Sequence, residues 1–144
     1  MTATPRWVPR IDTPRRAQEQ QTSGPLNGPS VVDLSFAGLG VDGLFLEVSC
    51  SVAAWVSFYD STAARTADGA RPIEEDPPLS AGVLLDLRFS AETPTLKLAP
   101  GCSYSNGEIP LQQRLWARLR TEAAGAHTAS LGVLALVLND SVAG

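Results

Sequence analysis

From residue 31 onward, apolar and polar residues alternate with a period of two, the spacing of a strand with one face buried. Val31-Val32-Asp33-Leu34-Ser35-Phe36 is the first such run, and Gly38, Gly40 and Gly43 make the connection that follows. Leu44 to Cys50 is the second, with Leu44, Leu46, Val48 and Cys50 assigned to the core and Glu47 and Ser49 to water. Ala53–Tyr59 is dense in bulky and β-branched residues, the types that suit a pleated surface. Gly82–Phe89 places Val83, Leu85, Leu87 and Phe89 on one side and Asp86 and Arg88 on the other. Thr95–Leu98 is a short strand closed by Pro100-Gly101, a turn dipeptide. Leu111–Arg120 fits two patterns: Leu111, Leu115 and Leu119 recur every four residues, while Leu115, Ala117 and Leu119 also alternate with Arg114, Trp116, Arg118 and Arg120. Strand is preferred, because Leu131–Leu138 is a β-type run and Ala124-Gly125-Ala126 can join the two as a terminal hairpin. The pattern predicts an all-β fold, an antiparallel β-sandwich (jelly-roll-like) of about seven strands, with a small barrel as the alternative. Leu131–Leu138 is apolar on both faces, so it must be central or be covered by another chain, and the second option points to an oligomer.

The longest break in the alternation follows Trp55–Tyr59. Asp60-Ser61-Thr62 opens a small-residue turn, Ala63 to Ala67, which Asp68-Gly69 stops. An acidic loop closed by prolines then runs from Arg71 to Pro78. Arg65 and Asp68, three residues apart, are expected to pair across the turn, and as a solvated pair would contribute less than ~1 kcal/mol.

Residues 1–30 differ in character. They hold five of the 11 prolines, and Pro5, Pro9 and Pro14 recur too often for a helix. This stretch is expected to be an extended arm, with a short helix over Thr13–Gln21 as an option, and residues 31–144 to be the sandwich domain. Trp7, Val8 and Ile11 are its apolar exceptions. Trp7 either anchors in a partner's pocket or packs on its own domain.

Composition narrows the functional classes. Hydrophobic residues make up 44 %, enough for a packed core, and the net charge is −4. Arg6, Arg10, Arg15 and Arg16 outweigh Asp12 and Glu19, so the arm is basic on an acidic body, and the net charge of −4 argues against nucleic acid as the main partner. Ten arginines stand against one lysine, Lys97. That fits bidentate interface contacts, or else a GC-rich coding sequence. Cys50 and Cys102 do not amount to a disulfide framework. Cys50 is expected to be a small buried hydrophobe, with a Cys50–Cys102 bridge as the other reading. No apolar run reaches the ~18 residues of a membrane span and no hydrophobic signal core opens the chain, so neither a membrane partner nor export is expected.

Candidate chemistry is sparse. The single histidine, His127, lies in the expected hairpin loop, and no nucleophile elbow, P-loop or paired-histidine metal motif is present. Glu74-Glu75-Asp76 supplies oxygen ligands without the glycine and spacing of a calcium loop, so a solvated acidic loop is the preferred reading. The chain is expected not to be an enzyme and to hold no metal or cofactor. Trp116 among Arg114, Arg118 and Arg120 makes a basic-aromatic face that either stacks on a sugar or partner loop or lets arginines lie over the indole.

The string WVSFYDSTAARTADGARPIEEDPP, followed by GVLLDL and LAPGCSYSN, resembles a family of small structural proteins of tailed phages and prophages. The similarity covers roughly residues 31–138 and departs over Leu119–His127, which is richer in Ala and Arg. The resemblance implies a virion structural protein, made in the host cytoplasm and located in the virion. It would be a tail, baseplate or fibre component assembling as a homo-oligomer (a trimer), with a head cement or decoration protein as the alternative. Its partners would be itself and other virion proteins, with Arg6, Trp7, Arg10, Arg15 and Arg16 of the arm as the partner-binding set. A carbohydrate-binding sandwich that reads a host surface glycan is the competing class, with Trp116, Arg114, Arg118 and Tyr104 as its surface and Tyr59 as a further stacking platform.

Overall fold

The computed structural model describes residues 14–140, and over that span the chain is an all-β sandwich. Its elements in chain order are β1 (Arg15–Thr22), β2 (Leu26–Asn27), β3 (Val31–Phe36), β4 (Asp42–Cys50), β5 (Ala54–Tyr59), α1 (Thr62–Ala67), β6 (Val83–Phe89), β7 (Thr95–Lys97), β8 (Ser103–Ser105), β9 (Leu115–Thr121), β10 (Ala126–His127) and β11 (Ser130–Asn139). One sheet runs β1-β11-β4-β7, with β8 also on β4; the other runs β3-β9-β5-β6; β2 and β10 form a small ribbon; every pairing is antiparallel. Phe36, Phe58 and Leu119 from the second sheet face Phe45, Val48 and Val133 from the first. The Phe45 and Phe58 rings meet across the sandwich with centroids 5.0 Å apart, tilted as aromatic pairs prefer.

Three local expectations are corrected. The option of a helix over Thr13–Gln21, and with it the extended arm over residues 15–22, gives way to β1, which pairs with β11 from Arg15↔Val137 to Thr22↔Ser130. The strand's residues are polar because it is an edge: Ala17, Glu19 and Gln21 turn inward while Arg16, Gln18 and Gln20 turn out. β11 lies between β1 and β4, so its hydrogen-bond ladder is completed within the chain and it is a central strand, not an exposed edge. Leu131, Val133, Ala135 and Val137 fill the core on one face, and Leu134, Leu136 and Leu138 look outward on the other. The expected terminal hairpin does not form either, since β9 and β11 lie in different sheets and the segment between them crosses the sandwich.

The third correction concerns the side chains of β4. Leu134 pairs with Glu47 and Ala135 with Phe45, so Leu46 is an extra residue opposite nothing, a β-bulge. A one-residue slip inverts the faces on one side of it. Phe45, Val48 and Cys50 therefore enter the core, whereas Leu44, paired with Leu136, looks outward.

The break after β5 folds as a capped helical turn. Ser61 is the N-cap and its hydroxyl accepts from Ala64 N at 3.1 Å. The Glu108 carboxylate accepts from Thr62 N and Oγ1 at 2.8 and 2.9 Å. Asp68 closes the turn with its N–H on Ala64 O. The chain re-enters the sheet at Gly82 in the left-handed region (φ +76°), where its carbonyl accepts from Asp60 N.

Candidate functional site

The two outer faces of the sandwich are treated very differently. On the β3-β9-β5-β6 sheet, outward residues line up in cross-strand rows: Asp33, Arg118, Ser57 and Asp86 form one, and Val31, Arg120, Trp55 and Arg88 the next. On an uncovered sheet such a face is wet. Here α1 and the loop after it lie over the rows, which is why all six residues of β5 are buried instead of every second one.

The cover is held by a polar clasp. Asp68 accepts from the Tyr59 hydroxyl at 2.7 Å, from Arg71 Nε at 2.7 Å and from Arg71 Nη2 at 3.1 Å. The Asp68 and Arg71 side chains keep only 4 % and 6 % of their surface exposed, so this is a buried ion pair. Arg71 Nη2 continues to Asp86 at 2.9 Å, and Asp86 Oδ1 also accepts from Trp55 Nε1 at 3.2 Å and from Ser57 Oγ. Arg71 Nη1 donates to the Glu75 carbonyl at 2.8 Å, tying the acidic loop to the same point. The Arg120 guanidinium lies 3.7 Å from the Trp55 ring centroid and Arg71 lies 5.1 Å from it, both within cation–π range.

The electrostatics follow from burial and pairing. Burial alone would push the Asp68 carboxyl up, but the hydrogen bonds from Arg71 and Tyr59 and the charges of Arg71 and Arg120 outweigh it and hold it below the usual carboxylate range. Burial raises the Tyr59 phenol, and its hydrogen bond to the Asp68 carboxylate raises it further. The hydrogen bond to Asp68 raises the Arg71 guanidinium above its ordinary value. These shifts are those of groups locked in one protonation state, with each donor matched to an acceptor. A shallow cleft of about 330 Å³ opens beside the clasp between Trp55, Ile73, Asp86 and Arg88, and its inner wall is the clasp itself.

A second set of contacts fastens α1 at the other side. Arg65 Nε lies 3.6 Å from Asp33, its Nη1 donates to Leu34 O at 3.2 Å, and its guanidinium lies 5.4 Å from the Trp116 ring centroid. Arg118 forks onto Asp33 at 2.9 and 3.4 Å and donates to Arg65 O at 2.9 Å. The expected Arg65–Asp68 pair is thus replaced by Arg65–Asp33 and Arg71–Asp68, because Asp68 is taken up by Arg71 and Tyr59 while Arg65 reaches across to β3.

Among the described residues, no such cover lies over the outer face of the other sheet. Leu134 and Leu136 of β11, Leu44 and Leu46 of β4, and Leu138 form an apolar stripe that does not belong to the core cluster. Leu138 keeps 41 % of its surface exposed. Polar residues border the stripe: Arg16 pairs with Leu136 on the β1 side, and Glu47 pairs with Lys97 on the β7 side. Arg16, Leu46, Glu47, Lys97, Leu98 and Leu134 line a depression of about 390 Å³ on this face.

The residues singled out from the sequence distribute over both faces. Trp116 and Arg118 do share the covered face, where Arg65 is the arginine found over the Trp116 ring. Arg114 precedes β9 and is exposed, with its carbonyl accepting from Asn106 Nδ2 at 2.7 Å. Tyr104 is corrected: it is an interior residue, with its hydroxyl on Leu39 O at 2.8 Å and its ring 5.0 Å from Phe45. Tyr59 is fully buried as well, so neither tyrosine can stack on a sugar. Arg15 forks onto Asp140 at 2.7 and 3.0 Å and reaches Gly38 O at 3.3 Å, while Arg16 faces the leucine stripe. Arg6, Trp7 and Arg10 lie outside the described residues.

The His127 ring nitrogens meet Gly125 O at 2.9 Å and Thr121 Oγ1 at 3.2 Å. Cys50 and Cys102 are both free, and burial pushes the Cys50 thiol up. Among the described residues, no three His, Cys, Asp or Glu side chains come together as a metal set. Sequence reasoning did not single out Arg71, Asp86 or Arg120 for the clasp; it did mark β11 as apolar on both faces, but it assigned Leu44 and Leu46 to the core. No protein-family model matches the chain, and no curated protein or solved structure matches it.

Proposed function

We propose that the protein is a structural subunit of a tailed-phage particle that acts by protein–protein assembly, as a tail, baseplate or fibre component. Head decoration is the same mode of action at another location. The observation that carries this reading is the contrast between the two faces: the polar side chains of one are consumed in holding the chain's own excursion, and the other presents a leucine stripe, half-buried at Leu44, Leu46, Leu134 and Leu136 and exposed at Leu138, over which no described segment folds. An apolar patch rimmed by polar residues is what a contact surface offers, whereas locked ion pairs offer little to a substrate. The resemblance of WVSFYDSTAARTAD and the segments after it to phage structural proteins points the same way. In this reading residues 1–13, with Arg6, Trp7 and Arg10, reach a neighbouring virion protein, and the leucine face makes a second contact.

The test is mass spectrometry of purified particles from a host that carries the sequence. Peptides of this chain at a fixed ratio to the major virion proteins, retained through a density gradient, are the expected result. Recovery only in the unassembled fraction would refute the reading.

A further inference from the structure

Resting on that assembly reading, we infer that the leucine face is covered by a second copy of this chain, packed face to face about a two-fold axis that runs along β11. Leu134, Leu136 and Leu138 lie along β11 and Leu44 and Leu46 to one side of it, so the apolar stripe of each copy meets that of the other along the axis. Rotation about that axis lays β1 of each copy over β4 of the other. Arg16, at the level of Leu136, then comes within reach of Glu47 of the partner copy, at the level of Leu134, and the contact is made twice. A two-fold contact uses one patch on both subunits, so a face carrying both the cation and its anion on opposite sides of the axis suits it.

The extent is adequate. Four strands at a spacing of ~4.8 Å and an eight-residue register at ~3.3 Å per residue give a face of about 19 by 26 Å, or roughly 1,000 Å² over two copies, the lower bound of a specific interface. Two sheets packed in this way sit ~10 Å apart, the separation the sandwich already uses inside. A face of this extent suits a weak, concentration-dependent dimer, favoured inside a particle where copies are held together.

Sedimentation velocity on the full chain over a concentration series reads this directly. A concentration-dependent dimer is expected. Leu136→Glu should raise its dissociation constant roughly a hundredfold, by placing a carboxylate in the apolar seam and drawing Arg16 away from the partner copy's Glu47, while circular dichroism remains that of the parent. Arg16→Glu and Glu47→Arg each weaken the dimer, and the double reversal restores it; neither site is in the core, so these variants keep the test independent of folding. Leu111→Glu, on an exposed residue away from the face, should leave the dimer unchanged. A monomer at ~100 µM overturns the pairing, as does a dimer indifferent to Leu136→Glu, or a trimer, whose head-to-tail contacts need two different patches. If the chain without residues 1–13 pairs and the full chain does not, its own N-terminal segment covers the face and the inference fails. A monomer still found in particles overturns the pairing alone; a dimer never found in particles overturns the assembly reading alone.

Discussion

Replacing Asp68 by Ala should destabilise the fold by about 3 kcal/mol, the lower end of what breaking a buried ion pair costs. The figure comes from what is left behind. The Arg71 guanidinium, 6 % exposed, loses the two hydrogen bonds it donates to one carboxylate and keeps Asp86 at 2.9 Å, which compensates part of its charge. The Tyr59 hydroxyl loses its acceptor in a fully buried setting. Equilibrium urea unfolding, followed by Trp fluorescence and circular dichroism, measures the loss, and the melting temperature should fall by about 4 °C per kcal/mol for a domain of this size. Arg71→Met should cost a similar amount. The double variant should cost less than the sum by at least ~1 kcal/mol, because the second change no longer strands a charge. The carboxyl of Asp68 is lowered in the folded state, so its contribution is complete above the unfolded value near ~3.9 and is lost as pH falls through the folded-state value. Asp68→Asn should accordingly flatten the acid limb of the stability curve below about pH 4. A cost under ~1 kcal/mol for Asp68→Ala, or strict additivity with Arg71→Met, would show a solvated pair and refute the clasp.

Other perturbations separate the covered face from the open one. Trp116→Phe should be neutral or stabilising by up to ~1 kcal/mol, since the indole N–H is buried with no hydrogen-bond partner among the described residues; thermal melts check it. Gly82→Ala should cost about 2–3 kcal/mol, because the residue sits at φ +76° and an added Cβ would come 2.8 Å from Ala64 Cβ and collide with Asp60; urea midpoints read the effect. Removing residues 1–13 should leave cooperative unfolding intact, whereas removing residues 1–28 takes away β1 and should abolish it, as circular dichroism and a thermal scan would show.

The period-two runs were readable because their physics is local. Gly82–Phe89 alternates, and β6 spans Val83–Phe89; Val31–Phe36 became β3 without change. What escaped has non-local causes. β1 carries the residues of a solvated segment, and nothing local marks it as the strand that completes the ladder of β11. Leu44 and Leu46 follow the alternation from Val48 backwards, yet the bulge at Leu46 sits opposite Leu134–Ala135 and is set by the partner strand. Arg71 lay in the acidic loop and its partner Asp86 on a strand 15 residues later, so nothing in local spacing paired them. The aromatic density of Trp55–Tyr59 was the one signal available. A strand with bulky residues on both parities must be covered on both faces, and the cover had to come from the excursion that follows.

That covering step is also what divides the protein into a closed side and an open side. The turn from Ser61 to Asp68 returns over the sheet it has just left, so the Arg and Asp rows of β9, β5 and β6 find partners within the chain and the loop becomes part of the fold. No corresponding segment among the described residues lies over Leu44, Leu134 and Leu136. Burying such a stripe on a partner is favourable at roughly 25 cal/mol per Å² of apolar area before the costs of association are counted, and leaving it bare gains nothing. The face that the described residues leave uncovered is therefore where an occupant is to be sought, while the opposite face is already occupied by the chain's own excursion.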